Sequence, residues 1–295
     1  MRMILLNVIV ASYYVYEKTV IGRGMHGIVK LARYNNEQCV EKENRIDGTK
    51  FLNAFGLKSL QSEKILMSRL SHPGIVKYKG FVAVNKRKSM LFMEQCEKSF
   101  PKYFANKRIG LTEAIDEFRQ VAAALYYMHS QSYCHLDIKP GNVLICKNRL
   151  KICDFSLSKT NCNFNSMAQG TLLYMSPELR IILKSKKRGL WNGYKADVYS
   201  LGQMFLQVLD NHHGIDIQKQ DLMNLKYRKV DKLNSPKINF LLSEKYRTVH
   251  GINILFVNLL IKMIEPNPQR RITTANVMRD PLWFYLAKPA NVPSK

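Results

Sequence analysis

Three glycines in the run Gly22-Arg23-Gly24-Met25-His26-Gly27 lie between two stretches that alternate like β-strands, and this feature restricts the fold most. Glycine is required where backbone must approach phosphates closely and offer unobstructed N–H groups. The same spacing opens a dinucleotide-binding fold only when a helix follows at once. Here Ile28-Val29-Lys30-Leu31-Ala32-Arg33 follows, which reads as a strand, and Asn35-Asn36 turns the chain before Gln38 to Lys42. A Walker loop is excluded as well, because Gly27 is followed by Ile28 and not by Lys-Ser/Thr. Both exclusions leave a glycine-rich hairpin lying over a nucleotide.

Downstream, Leu60, Ile65, Leu66 and Leu70 recur near helical spacing and predict a helix over 51–70, stopped by Ser71-His72-Pro73-Gly74. Strands are predicted over 75–84 and 89–95, with the basic turn Asn85-Lys86-Arg87-Lys88 between them. After Cys96 the character changes. Ile115, Phe118, Val121, Ala122, Leu125 and Met128 predict an amphipathic helix over 111–130, and others are expected over 197–209, 252–264 and 273–279. Strands in the first third and helices in the rest predict an α+β chain of two lobes, residues 1–95 and 96–295, with the boundary near Glu94 to Glu97.

A chain of 295 residues can bury a core without disulfides or metals. Its six cysteines include no CxxC pair and no regular framework, so reduced thiols in an intracellular compartment, cytoplasm or nucleus, are expected. Met1 to Ala11 has the basic-then-apolar order of a signal peptide, yet leaves little room before the first strand, and a first strand or packing arm is the favoured reading. No stretch reaches the roughly 20 uninterrupted apolar residues of a membrane span, so no membrane association is expected. The oligomeric state cannot be read from this pattern.

The chemistry lies in three places. Lys42 on the strand after the glycines and Glu63 on the next helix are a cation and a carboxylate at positions suited to holding phosphates. Each alone is one more surface charge; below the glycine hairpin they make a pair. The run Cys134-His135-Leu136-Asp137-Ile138-Lys139-Pro140-Gly141-Asn142 is followed by Lys151-Ile152-Cys153-Asp154-Phe155-Ser156. Transfer of a phosphoryl group to a hydroxyl needs a carboxylate to orient that hydroxyl and take its proton, which Asp137 supplies. Lys139 supplies a cation near the moving group, and Asn142 and Asp154 supply oxygen ligands for Mg²⁺. A polar loop between buried strands would not set these residue types in this order.

This ordered set resembles the eukaryotic-type protein kinases over nearly the whole chain, Tyr14 to Trp283. Gly170-Thr171 and Ser176-Pro177-Glu178 are similar to the end of an activation segment, and Asp197-Val198-Tyr199-Ser200-Leu201-Gly202 to the helix that anchors the catalytic loop. Arg271, in Asn267-Pro268-Gln269-Arg270-Arg271, would pair with Glu178. The resemblance implies a bilobal kinase fold, with a small β-rich N-lobe carrying one key helix and a larger, mainly α-helical C-lobe. It implies ATP as phosphoryl donor with Mg²⁺ or Mn²⁺, and protein substrates. Lys139-Pro140 and Gly170-Thr171 are similar to the serine/threonine branch. Ile21, Gly22, Gly24 and Gly27 would cover the nucleotide, Val29, Val40 and Leu144 would sandwich adenine, Met93 would be the gatekeeper, and the backbone at Glu94 and Cys96 would hold the base.

Two positions depart from that pattern. Leu136 stands where most members have the Arg that binds an activation-segment phosphate, so activity independent of such phosphorylation is expected. Mos-type kinases are similar there, and the leucine is compatible with an active enzyme. Ser156 replaces the flexible Gly after Asp154-Phe155, which should hold the segment more firmly in one state. The alternative is a pseudokinase or scaffold. Net charge +24, from 46 Lys and Arg against 22 Asp and Glu, would attract nucleic acid or acidic proteins non-specifically. Its concentrations are Lys86 to Lys88, Lys184 to Arg188 (a candidate nuclear import signal) and Lys226 to Lys229. A nearly bare catalytic domain with this charge and these departures resembles kinases of large DNA viruses of baculovirus type, with DNA-packaging proteins as expected substrates.

Overall fold

The computed structural model describes residues 14–24, 27–44, 50–85, 87–105, 111–213 and 254–283. The expectations for Met1 to Ala11, for Met25-His26 and for Lys226 to Lys229 lie outside the described residues. By internal contacts the chain divides into two units, Met1–Ser99 with Leu144–Ser158, and Phe100–Val143 with Lys159 onward.

In the first unit, β1 (Tyr14–Gly24), β2 (Gly27–Tyr34), β3 (Glu37–Glu43), β4 (Tyr78–Ala83) and β5 (Ser89–Met93) form one antiparallel sheet in the order β1-β2-β3-β5-β4. Asn35 and Asn36 turn β2 into β3 with φ of 51° and 63°, a backbone region that asparagine tolerates better than most residues. Its buried residues include Ala32, Cys39, Met90 and Phe92, with Tyr34 stacked on Phe92 at 4.6 Å. One helix, α1 (Lys50–Met67), belongs to this unit. It buries Ser59, Leu60, Glu63, Leu66 and Met67 while Ile65 is half exposed. The apolar spacing located this helix, but two polar residues share the face that Ile65 does not occupy. A small second sheet, β6 (Lys98–Ser99), β8 (Val143–Cys146) and β9 (Arg149–Ile152), completes the unit.

The second unit is mainly helical: α2 (Phe100–Ala105), α3 (Leu111–Ser130), α4 (Pro177–Ser185), α5 (Gly193–His213), α6 (Ile254–Met263) and α7 (Thr274–Met278). Phe118 of α3, fully buried, meets Phe205 at 4.2 Å, Phe256 at 5.6 Å and Trp283 at 5.8 Å, so one aromatic side chain joins α3, α5 and α6. Aromatic contacts at these separations add roughly 0.5–1.5 kcal/mol each beyond their buried area. Two short ladders are also present, β7 (Tyr133–Cys134) with β10 (Lys159–Thr160), and β11 (Asn163–Ser166) with β12 (Gly189–Asn192). Among the described residues, no helix is long and apolar enough to cross a membrane.

The reduced-thiol expectation needs correction. Cys96 and Cys146 are joined in a disulfide, with Cα atoms 4.4 Å apart, while Cys39, Cys134, Cys153 and Cys162 keep their thiols. The cause is the β6–β8 ladder. Lys98 lies opposite Ile145, so the register carries Cys146 to Glu97, one residue from Cys96, and the two cysteines, fifty positions apart, come within bonding reach.

Candidate active site

Lys42 reaches its partners in the first unit because α1 packs on β5, the strand that pairs with β3. Its Nζ lies 2.7 Å from Glu63 Oε2 and 2.8 Å from Asp154 Oδ1. The lysine and Glu63 side chains are 8% and 1% exposed, whereas Asp154 remains 32% exposed. Burial pulls the Lys42 pKa down, but the two carboxylates outweigh it and hold the ammonium above its ordinary value. Glu63 also accepts the backbone N–H of Phe155 at 3.1 Å, tying the segment after Asp154 to α1. Asp154 itself has φ 61°, while Ser156 lies outside the left-handed region and its carbonyl accepts Ser59 Oγ at 3.2 Å. The conformational burden therefore falls on Asp154, and a serine at 156 costs nothing here.

The glycines of the hairpin have different reasons for being glycine. A Cβ on Gly27 would lie 2.4 Å from the Glu43 carbonyl oxygen, so β3 itself demands a glycine there. A Cβ on Gly22 would meet only Val29, at an ordinary 3.7 Å. Gly22 is thus a bare position that the protein's own packing does not require, as close approach by a phosphate would. Gly24 pairs with Gly27 to close the hairpin, and Ile21 is half exposed.

Val40 and Met93 are opposite each other on β3 and β5, and Val29 lies two pairs along on β2. Leu144, on β8, pairs with Ser99. After β5 the backbone is already partly used: Glu94 N–H donates to the Lys77 carbonyl at 2.9 Å, and its carboxylate binds Lys77 N–H and Lys151 Nζ, both at 2.7 Å. Glu97 N–H donates to Ile145 O at 2.9 Å, and the Cys96 sulfur is committed to Cys146. The stretch expected to hold a base is therefore braced against Lys77, β8 and β9, with the Glu94 N–H already engaged.

The second unit gathers the other residues. Asp197, fully buried near the start of α5, accepts the backbone N–H groups of His135 and Leu136 at 2.7 Å each, and contacts His129 Nε2 at 3.0 Å. This fixes the loop that carries Asp137. Around Asp137, Oδ2 accepts Lys139 Nζ at 2.6 Å and Asn142 Nδ2 at 2.9 Å, while Oδ1 accepts Thr171 N–H at 3.0 Å and Thr171 Oγ1 at 2.6 Å. Lys139 also donates to Thr171 Oγ1 at 2.9 Å. In sequence Thr171 marks the end of an activation segment and the serine/threonine branch; its hydroxyl contact with both charged residues emerges only in the fold.

Each unit offers an oxygen donor of the kind a hard cation takes. Asn142, buried, gives its amide N–H groups to the carbonyl and carboxylate of Asp137, so its amide oxygen is the acceptor that side chain has to offer. Asp154 offers a partly exposed carboxylate in the first unit. Among the described residues no group of three His, Cys, Asp or Glu could hold a metal ion. Far from these groups in sequence, Arg271 grips Glu178 through both guanidinium ends at 2.7 and 2.9 Å. That buried fork ties α4 to the turn before α7.

Residues 15–284 match the protein kinase domain. The chain is 28% identical to mitogen-activated protein kinase 2 of Arabidopsis thaliana, over 93% of this chain and 78% of that protein. It is 28% identical to CBL-interacting serine/threonine-protein kinase 8 of the same plant, over 90% of this chain and 56% of that protein. It is also 29% identical to serine/threonine-protein kinase cds1 of Schizosaccharomyces pombe, over 93% and 59%. The chain thus spans little more than half of two of these relatives.

Proposed function

We propose, from the premise that this chain belongs to the protein kinase family and has its α+β fold, that it transfers the γ-phosphoryl group of ATP to serine or threonine hydroxyls of proteins. The observation that carries this reading is the convergence of Lys139, Asn142 and Thr171 on the Asp137 carboxylate. A purely structural aspartate needs no such set, and a phosphoryl acceptor site needs all of it.

In this reading Lys42, kept charged by Glu63, holds the α- and β-phosphates, and the bare backbone at Gly22 lies over them. Asn142 and Asp154 would hold Mg²⁺, which would supply positive charge to neutralise the phosphates. Asp137 orients the acceptor hydroxyl and takes its proton as the oxygen attacks the γ-phosphorus. The bond to the bridging oxygen breaks and its electron pair leaves with ADP. Lys139 offsets negative charge on the phosphoryl group in transit, and Thr171 keeps the aspartate and lysine in register.

Labelled-phosphate transfer to casein and to a basic histone tests this, with Asp137→Asn and Lys42→Met beside the wild type. Transfer to Ser or Thr is expected, with kcat lowered about 10²–10⁴-fold in Asp137→Asn. Wild-type protein that binds ATP but transfers nothing would support the scaffold reading instead.

A further inference from the structure

We propose that Cys96 and Cys146 form a reversible redox site that sets how tightly this chain holds its nucleotide; the inference rests on the kinase reading above. Glu94 and Glu97 are fixed posts on either side of Cys96. Glu94 is bound through its N–H and its carboxylate to Lys77, and through its carboxylate to Lys151. Glu97 N–H donates to the Ile145 carbonyl at 2.9 Å, and its carboxylate accepts the Lys147 N–H at 3.0 and 3.1 Å. Between the posts, among the described residues, no group bonds to the backbone of Gln95 or Cys96. The tie on that short span is the Cys96 sulfur.

What the tie controls follows from β8. Leu144 and Cys146 are two positions apart on that strand, so their side chains share a face. In the kinase reading Leu144 lies against the base and the backbone at Cys96 bonds its edge. The disulfide thus joins the two surfaces that would meet one base, an apolar one on β8 and a polar one between Glu94 and Glu97. Unbonded sulfurs keep to van der Waals contact, so reduction must part them from a position in which the Cα atoms are 4.4 Å apart. Cys146, 2% exposed and inside the β6–β8–β9 sheet, has little room to yield. Cys96 is partly exposed and outside any strand. The displacement therefore falls on the two residues that the posts leave loose.

The chemistry is thiol–disulfide exchange with a dithiol reductant. One of its thiolates attacks Cys96 Sγ, on the member of the pair that solvent reaches. The bond to Cys146 Sγ breaks, and the electron pair leaves with Cys146, which takes a proton. The second thiol of the reductant then attacks the reductant sulfur bound to Cys96, closing the reductant's own disulfide and releasing Cys96 as a thiol. Two electrons and two protons pass from the dithiol to the protein, and a small disulfide as oxidant reverses the step. Cys134 and Cys162 form the contrast. Both are buried, both lie near the Lys159 carbonyl, at 3.5 and 3.7 Å, and burial pushes the Cys134 thiol far above its ordinary pKa. Two neighbouring cysteines thus stay thiols where no attacking group reaches them, while the joined pair has an accessible member.

The test uses the full chain equilibrated in mixtures of reduced and oxidised dithiothreitol, with the alkylated cysteines mapped by mass. Cys96 and Cys146 should interconvert reversibly while the protein stays folded. Titration with ATP should give a Kd about tenfold higher for the reduced protein, the factor that ordering one freed backbone residue costs. KM for ATP should follow it, with kcat at saturation within about twofold, because Asp137 lies in the other unit. Amide exchange at Gln95 and Cys96 should quicken on reduction while Glu94 and Glu97 stay protected. Cys146→Ser should keep the weaker affinity in both mixtures, and the wild type alone supplies both states should that variant fail to fold. Equal affinity in the two states would overturn the proposal, as would a pair that the dithiol reduces only by unfolding the protein. If neither state binds ATP, the kinase reading fails, and the exchange rates still decide whether the bond governs the stretch.

Discussion

Glu41 is a carboxylate with no place in the proposed chemistry and the most telling pH dependence. It is fully buried in β3, and burial, with the neighbouring Glu43 charge, pushes its pKa from 4.5 up to about 7. A raised carboxylate pKa means that the folded state binds the proton more tightly than the unfolded chain does. Its stabilising proton is therefore present below pH 4.5 and lost as pH rises through 7. Glu41→Gln should raise stability at pH 8 by about 3 kcal/mol and change little near pH 4, from the usual energy per pKa unit. Thermal unfolding at the two pH values checks this, and an equal effect at both would refute it. Sequence could single out Asp137, Asn142 and Asp154 because the proposed chemistry restricts residue type: a carboxylate suits the proton acceptor, and oxygen donors suit Mg²⁺. The Thr171 hydroxyl was not legible in the same way. Threonine is common on any surface, and only folding brings it 34 positions back to Asp137.

At the scale of elements, the β1–β2 hairpin shows that one motif can contain two kinds of glycine. Gly27→Ala would press a methyl carbon into the Glu43 carbonyl, and backbone cannot yield as a side chain can. A loss of about 1–3 kcal/mol is expected from such overpacking. Gly22→Ala should leave the melting temperature unchanged and weaken ATP binding instead. Calorimetry and nucleotide titration of both variants separate the roles; equal melting losses would refute the distinction. The helices over 111–130 and 254–263 were legible because buried residues recur at helical spacing along them. The helix α4 and the strands β11 and β12 were not. Asn163-Phe164-Asn165-Ser166 has a single apolar residue and cannot show strand alternation, and its partner lies beyond an intervening helix. What makes it a strand is Trp191, a tertiary contact that no local window contains.

For the molecule as a whole, the thiol count is the quantity to measure. One disulfide and four thiols predict that unfolded, unreduced protein titrates four thiols and reduced protein six. Six without reductant would show that Cys96 and Cys146 are unlinked in solution. The long span of β11 with β12 has a further consequence, in time. Asn163 leaves the site of synthesis 29 residues before Asn192, a delay of roughly 1.5–6 s at ordinary rates of translation. During that interval the upstream strand has no partner to pair with, and a chain cut short before Gly189 never acquires one. The order in which this protein is made therefore sets the order in which it becomes competent: the loop bearing Asp137 is synthesised first, and the strand that steadies its neighbour arrives last.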